Sequence, residues 1–335
     1  MPRLTIETER WLLKEPFRIT GYTFTEAELI VVALDEDGHT GRGEAAGVYY
    51  RQETPESMIR QIEAVRGVIE TGVTRQKLRE LMPAGGARNA LDCALWDLES
   101  KKAGRPAFRI AGLDDLKPLA TTYTIGADTP EEMTHRAKAF SDVPRLKLKL
   151  TGEGDEVRVR AIRAARPDAW IGVDANQAYT RATLEKVMPA LVEARVALIE
   201  QPVKRGHERE LYKFDSPIPL AADESVQGFS DIARVHGHFE VVNIKLDKCG
   251  GLTEALEMAA EIRRLGMRPM VGCMEGTSLS VAPALIVGQL CSIVDLDGPI
   301  FLKEDREPKA IYENGTVYCS GGWGSPALTR TGAAA

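Results

Sequence analysis

The sequence lacks several features that would place a protein in a specialised class. Its five cysteines contain no C-x-x-C pair, which argues against a zinc knuckle or a disulfide framework and favours reduced thiols in the cytoplasm. The longest apolar runs, such as 29–34 and 282–287, are far shorter than the ~20 residues that cross a bilayer. Basic residues are not in excess, since 43 Lys and Arg stand against 49 Asp and Glu, so we do not expect nucleic acid as a partner. Residues 1–10 alternate and carry charge, and we expect no signal peptide there.

What the sequence does contain is an ordinary globular composition, with 44% hydrophobic and 27% charged residues in a chain of 335. At ~100–200 residues per domain, this length corresponds to two domains or to one large barrel with additions. Residues 3–11 and 27–34 have strand patterns, whereas 55–69 and 87–102 have helical periodicity. We therefore predict a small α+β domain over residues 1–117.

The pattern changes from residue 119 onwards, where short apolar strands alternate with helical segments. The units recur at roughly 25 residues, the length of one βα step in a parallel barrel. A (β/α)8-type barrel over 118–300 is the favoured interpretation, and a doubly wound open sheet is the rival. No G-x-G-x-x-G follows a strand, which weakens the rival. The eight predicted strands are 120–125, 145–150, 170–174, 197–200, 219–223, 241–245, 268–272 and 292–297.

The last segment, 301–335, has a different character. An Asn-Gly pair between two β-rich runs predicts a hairpin over 309–319. We expect this hairpin to pack back on the N-terminal domain, and we expect 327–335 to be frayed.

Three carboxylates stand at the ends of consecutive predicted strands: Asp174, Glu200 and Asp223. The carboxyl ends of barrel strands form one face, so these side chains should meet there. Three carboxylates brought together repel unless a cation or protons neutralise them, and an all-oxygen site suits Mg²⁺ or Mn²⁺. The alternative is that some of these acids cap helices or pair with nearby lysines.

Lysines occupy the same level of the predicted barrel. Lys147 and Lys149 are two residues apart on the second strand and point the same way, so each should lower the pKa of the other. Lys245 lies on the sixth strand, four steps around a ring of eight, and therefore faces Lys149 across the barrel mouth. One amine can remove an α-proton and the other can return a proton to the opposite face, which inverts a stereocentre. The alternative is an outward, solvated lysine pair.

Asp295 and Asp297 share a face of the eighth predicted strand, across the ring from Glu200. Two carboxylates held there favour a cation at the far end of the substrate, such as an ammonium group. A carboxylate at one end and an ammonium at the other describe a dipeptide. The competing interpretation is that Asp297 caps the following turn.

Several segments together resemble the enolase superfamily, specifically the muconate-lactonizing subgroup and its dipeptide epimerases. The matching segments are R-N-A-L-D-C-A-L-W-D-L (88–98), K-L-K (147–149), D-A-N (174–176), E-Q-P (200–202), A-D-E-S (222–225), N-I-K-L-D-K-C-G-G (243–251) and D-L-D-G-P (295–299).

This resemblance implies an α/β fold: a modified (β/α)7β TIM barrel with an N-terminal α+β capping domain. It implies Asp174, Glu200 and Asp223 as Mg²⁺ ligands, Lys149 and Lys245 as acid/base catalysts, Lys147 as an electrostatic helper, and Asp295 and Asp297 as the site for the dipeptide α-ammonium. The implied reaction is a 1,1-proton transfer through an enediolate, on L-Ala-D/L-Glu or a related dipeptide of peptidoglycan turnover. We also expect a cytoplasmic homo-oligomer that binds neither nucleic acid nor membranes.

Two loops of the capping domain, 18–25 and 47–53, select the second residue of the dipeptide in proteins of this kind. Arg18 or Arg51 is a candidate partner for an acidic side chain, whereas Tyr22 and Phe24 would suit a hydrophobic one; Arg18 is equally consistent with a surface charge. We further expect Cys273 and Glu275 to line the pocket. The alternatives left open are an N-acyl amino acid racemase or a cycloisomerase of the same superfamily, a Schiff-base aldolase, and a non-catalytic binding barrel.

Overall fold

The computed structural model of the protein describes residues 1–319 and 321–325, so the predicted fraying of 327–335 lies outside the described residues. The chain begins with a three-stranded antiparallel sheet that is followed by helices, as predicted for an α+β domain. The strands are β1 (Arg3–Ile19), β2 (Tyr22–Glu36) and β3 (His39–Ala45), and the helices are α1 (Pro55–Glu63), α2 (Arg66–Ile69), α3 (Arg75–Leu81), α4 (Gly86–Ala103) and α5 (Ala107–Ile110).

Helix α4 packs directly on strand β3 because that strand presents glycines to it. A Cβ atom added at Gly41 or Gly43 would lie 2.2 or 2.0 Å from a carbonyl oxygen of α4, so no larger residue fits at this distance. Nearly all of α4 is buried, including polar residues such as Arg88 and Asp92, because the helix lies between the sheet and the second domain.

The second domain is an eight-stranded parallel sheet in which each strand pairs with its neighbours in chain order. The amide of Thr122 donates to the carbonyl of Val294 at 3.0 Å, which joins the first and last strands and closes the barrel. Each predicted strand overlaps an observed one. Strand β4 (Leu119–Ala120) precedes this sheet and belongs to a separate three-stranded one. The elements of the barrel are β5 (Tyr123–Ile125), α6 (Pro130–Ala139), β6 (Arg145–Lys149), α7 (Asp155–Ala165), β7 (Trp170–Asp174), α8 (Arg181–Glu193), β8 (Val196–Glu200), β9 (Leu220–Ala222), α9 (Ile232–Val235), β10 (Val241–Ile244), α10 (Leu246–Cys249), α11 (Leu252–Arg264), β11 (Arg268–Gly272), α12 (Ser278–Gly288) and β12 (Ile293–Asp295).

The predicted C-terminal hairpin is present as β13 (Ala310–Glu313) and β14 (Thr316–Cys319). Strand β14 of this hairpin pairs with β4, just before the barrel, and the packing of the C-terminal segment on the N-terminal domain stays a prediction. The residues that follow do reach the first domain: Trp323 Nε1 donates to the carbonyl of Arg42, and the amide of Gly324 donates to Asp97. The domain boundaries at 117 and 300 stay predictions. Among the residues that the structure describes, no helix combines the length and the hydropathy needed to span a bilayer.

Candidate active site

The barrel interior is built in layers that follow from the two-residue period of a strand. One layer is a separate buried apolar cluster contributed by consecutive strands: Leu198, Ala221, Val241, Met270 and Ile293. On four of these strands, β8, β9, β10 and β12, side chains two or four positions further along share the same face and are polar, and β6 and β7 add polar side chains at their own carboxyl ends. They form a second layer at the carboxyl ends of the strands, where barrel enzymes hold their catalytic groups. This polar layer contains Lys147, Lys149, Asp174, Glu200, Asp223, Asn243, Lys245, Asp295 and Asp297, all of them buried.

Asp174, Glu200 and Asp223 come together as predicted. Each offers one oxygen atom, and these oxygens all lie within 4.8 Å of one another. Burial raises the pKa of Glu200 to about 7, and the negative charge of Asp174 adds to this effect. Burial also opposes ionisation of Asp223, but Lys245 and Lys248 outweigh it and hold the pKa of this carboxyl well below its usual range. The cluster therefore needs positive charge close by to remain ionised.

Lys147 supplies positive charge at the centre of the polar layer. Its Nζ lies 2.7 Å from Asp295 Oδ2, 2.8 Å from Glu200 Oε2 and 3.3 Å from Asp174 Oδ2. Burial lowers the pKa of Lys147, yet these carboxylates outweigh it and raise the pKa well above its usual range. The predicted mutual lowering of the pKa values of the two strand lysines is therefore wrong for Lys147 in this arrangement, because the acids around it act more strongly than the neighbouring amine.

Lys149 and Lys245 stand at the two ends of the acid cluster. Lys149 Nζ donates to Asp174 at 2.7 Å, and Lys245 Nζ lies 2.9 Å from Asp223 Oδ2. Both amines line the same small pocket. A group bound between them would have one amine on each flank, as the ring position of their strands predicts.

Lys248 is a buried cation that the sequence analysis missed. Its Nζ contacts the backbone and side-chain oxygens of Asp223 and donates to the carbonyl of Asn243 at 3.0 Å. It thereby fixes the end of β9 against β10 and orients Asp223. The only sequence signal was its place three residues after Lys245.

Asp295 and Asp297 both line the pocket, but they are bound differently. Asp295 uses both of its oxygens, accepting from Thr122 Oγ1 at 2.6 Å and from Lys147 at 2.7 Å. Asp297 Oδ2 accepts from the amide of Thr124, and its side chain does not cap the following turn. Burial, helped by repulsion from Asp295, raises the pKa of Asp297 to about 7. Of the two, Asp297 has more capacity left to receive a substrate cation.

The donor set fits a small, hard divalent cation. Three carboxylates from adjacent strands supply oxygen atoms only, which is the ligation that Mg²⁺ or Mn²⁺ prefers. Beside them, Asn176 Oδ1 and Glu224 Oε2 are buried and have no hydrogen-bond partner among the described residues. Such orphaned oxygens are suited to the water shell of a hydrated cation.

The pocket over this layer is small, with a volume of about 50 Å³. Cys273 and Glu275 lie in its wall, as expected from their place just beyond a strand. Residues of the capping domain complete the wall, and these were not foreseen individually because no local pattern marks them. They are Phe17, Ile19 and Tyr49.

The two predicted specificity arginines do not reach the reaction pocket. Arg18 pairs with Asp128 and is 48% exposed, and Arg51 donates to the carbonyl of Ala84; neither lines the pocket. Tyr22 and Phe24 instead form an aromatic cluster with Tyr49, with ring centroids 4.6 to 6.1 Å apart.

Comparison with known proteins agrees with this geometry. Residues 1–112 match the N-terminal domain of mandelate racemase / muconate lactonizing enzyme, and residues 131–324 match the enolase C-terminal domain-like family. The L-Ala-D/L-Glu epimerase of Escherichia coli (strain K12) is 38% identical over 320 residues, covering 95% of this chain and 100% of that protein.

Two solved structures extend the comparison. A crystal structure from Agrobacterium tumefaciens, an enolase family member with homology to dipeptide epimerases that holds sodium and L-Ala-L-Glu, is 40% identical with a TM-score of 0.94, covering 96% of this chain and 98% of that one. The dipeptide epimerase of Enterococcus faecalis V583, complexed with Mg and L-Leu-L-Tyr, is 29% identical with a TM-score of 0.87, covering 96% and 97%. This chain therefore belongs to the mandelate racemase/muconate lactonizing enzyme family of the enolase superfamily.

Proposed function

We propose that this isomerase epimerises a dipeptide, L-Ala-D/L-Glu or a related one, at the α-carbon of its second residue. The observation that carries the proposal is the placement of two amines, Lys149 and Lys245, on opposite ends of one buried carboxylate cluster beside a single pocket. Inversion of a stereocentre requires a base on one face and an acid on the other, and a hydrolase or a binding protein has no use for that pair.

The surrounding residues fit the remaining needs of this reaction. Lys147 holds positive charge next to the carboxylates, close to where negative charge develops on the substrate when its α-proton leaves. Asp297, supported by Asp295, accepts the α-ammonium group and so fixes the far end of the dipeptide. With both ends held, the α-carbon of the second residue lies between the two amines.

Asp174, Glu200 and Asp223 would hold Mg²⁺, with Mn²⁺ as a substitute, and the Mg of the Enterococcus relative supports this choice. The ion would supply Lewis acidity beside the substrate carboxylate and thereby lower the cost of removing the α-proton. We also propose a cytoplasmic homo-oligomer in peptidoglycan peptide turnover; the five free cysteines support a reducing compartment.

The test uses Lys149→Met and Lys245→Met. Loss of a positioned acid or base costs roughly 10²- to 10⁴-fold in rate, so neither variant should measurably epimerise the L-Ala-containing dipeptide that the wild type turns over best. Each should still exchange the α-proton of one diastereomer with deuterated solvent, and the two variants should act on opposite diastereomers, as followed by ¹H NMR.

Lys186→Met is the matched control, because Lys186 is an exposed lysine on α8. Full epimerisation by either site variant would remove that lysine from the acid/base role. Asp297→Asn separates a dipeptide from an N-acyl substrate: dipeptide turnover should fall, whereas an N-acyl amino acid has no ammonium group to lose.

A further inference from the structure

The small pocket at the acid cluster cannot contain a large side chain as well as the reacting part of a dipeptide. Two cavities adjoin it. One, of about 470 Å³, shares Phe17, Thr124 and Phe301 with the pocket. The other, of about 170 Å³, shares Tyr49, Met274 and Glu275, and we call it the side-chain cavity.

The two cavities meet different ends of the substrate in the proposed function. Thr124 borders the larger cavity, and its amide donates to Asp297, the proposed ammonium site. The larger cavity therefore adjoins the first residue of the dipeptide. The side-chain cavity shares no lining residue with the larger one, so it is the space left for the side chain of the second residue.

Much of the wall of the side-chain cavity is apolar and aromatic. Phe24 and Tyr49 meet there edge to face with ring centroids 5.3 Å apart, and Met274 lines the same cavity. One water needs roughly 10–15 Å³ of cavity volume. The side-chain cavity, at about 170 Å³, therefore has room for a side chain of the size of leucine or phenylalanine.

The charge of the side-chain cavity is of one sign. Its charged lining residues are all acidic: Glu26, Glu28, Glu53 and Glu275. The side chain of Glu53 accepts hydrogen bonds from the amides of Val48 and Gly86, and Glu28 forms an ion pair with Arg10, so both carboxylates already have partners.

Glu275 differs from the other acids because it also lines the reaction pocket. Among the described residues, it has neither a hydrogen-bond partner nor an ion pair. Burial raises the pKa of Tyr49, and the negative charges of Glu224 and, to a smaller extent, Glu275 add to the increase. The carboxylate of an acidic second side chain would be repelled by Glu275, and no lysine or arginine lines the cavity to offset this repulsion.

We propose that the side-chain cavity selects a second residue that is large and apolar or aromatic, and that Glu275 excludes an acidic one. The proposal rests on the proposed function and narrows its substrate class to the related dipeptides, so that L-Ala-D/L-Glu itself would be a poor substrate. Apolar burial against Phe24 and Tyr49 provides the attraction, and repulsion by Glu275 provides the discrimination.

The experiment measures kcat/KM of the Mg²⁺-loaded full chain for L-Ala-L-Met, L-Ala-L-Phe, L-Ala-L-Gln, L-Ala-L-Lys and L-Ala-L-Glu. The wild type should prefer L-Ala-L-Met over L-Ala-L-Glu by about tenfold or more. In Glu275→Gln, the kcat/KM ratio of L-Ala-L-Glu to its neutral isostere L-Ala-L-Gln should rise about tenfold. Glu313→Gln, an exposed acid on the C-terminal hairpin, should leave this ratio unchanged.

Three results would overturn the selection: L-Ala-L-Glu as the best wild-type substrate, L-Ala-L-Lys ahead of L-Ala-L-Met, or an unchanged ratio in Glu275→Gln. Absence of turnover and of α-proton exchange with every dipeptide is a different result. It would refute the proposed function, and the selection with it.

Discussion

Replacement of Lys147 by methionine tests whether the carboxylates of the polar layer depend on internal cations. Lys147 Nζ lies within 3.3 Å of three carboxylates, and its side chain is 5% exposed. Methionine fills a similar volume without the charge. Removal of one partner from a buried ion pair leaves an uncompensated charge and costs about 3–5 kcal/mol. We expect a loss of this size in the free energy of unfolding when divalent ions are removed with EDTA.

Magnesium makes the prediction specific to the site. A ligand that binds only the folded state at one hundred times its Kd stabilises it by about 2.7 kcal/mol. Lys147 and a bound cation would compete for the oxygens of Asp174 and Glu200, so the variant should gain more from Mg²⁺ than the wild type does. The difference in unfolding free energy between the two proteins should therefore shrink by about 2 kcal/mol in excess MgCl₂.

Urea denaturation followed by circular dichroism in EDTA and in MgCl₂ measures this difference, with Lys186→Met as the control. An equal deficit of Lys147→Met in both buffers would show that Lys147 and the cation do not share a site, and the reasoning about the acid cluster would fail.

Two further predictions concern contacts of the capping domain, in which Asp247 of α10 accepts from the amide of Ala46 at 3.1 Å and Gly43 packs on α4. Burial, with repulsion from Glu53, raises the pKa of Asp247 from 3.8 to about 7. Between about pH 4 and 7 the folded protein therefore keeps a proton that the unfolded chain has lost, and stability falls as the pH rises through this range. As the pH rises from about 4 to 8, the free energy of unfolding of Asp247→Asn should increase relative to that of the wild type, by at most about 4 kcal/mol. Urea titrations in which the difference between the two proteins does not change with pH would contradict this. Gly43→Ala should cost about 1–3 kcal/mol because its Cβ would lie 2.0 Å from Ala90 O, whereas Gly67→Ala, which has open space, should be neutral or slightly stabilising in thermal unfolding.

The sequence allowed the barrel and its polar layer to be predicted because both follow from local periodicity. Strands recur at a fixed spacing, and the two-residue period carries Glu200 to the same face as Leu198. Asp174, Glu200 and Asp223 could therefore be expected at one end of the barrel before any contact was known. The hairpin around Asn314 was visible for the same reason, since its turn is encoded by adjacent residues.

Pairings between distant segments could not be predicted in this way. From the sequence, Arg18 could pair equally well with a substrate carboxylate or with a carboxylate of the protein. Only the fold shows that it forms an ion pair with Asp128, which is far away in the chain. The burial of Arg88 has the same origin, because its partner Glu254 lies on α11 in the other domain. A charged residue within a helical segment carries no local sign of such a partner.

The raised pKa of Lys147 explains why repulsion between neighbouring amines is an insufficient basis for predicting a lysine base. Lys147 faces three carboxylates at 2.7 to 3.3 Å, and their effect on its pKa is larger than that of the neighbouring amine. A lysine acts as a base only when it is neutral, so the charge of the acids must be offset by something other than lysine protons. Asp174, Glu200 and Asp223 are the acids that a divalent cation would occupy. Against the lowering effect of burial, these acids, with Asp295 beside Lys147, raise the pKa values of Lys147 and Lys245. Metal binding and the availability of a base are therefore one coupled property of this site, since both depend on which cation holds these three carboxylates.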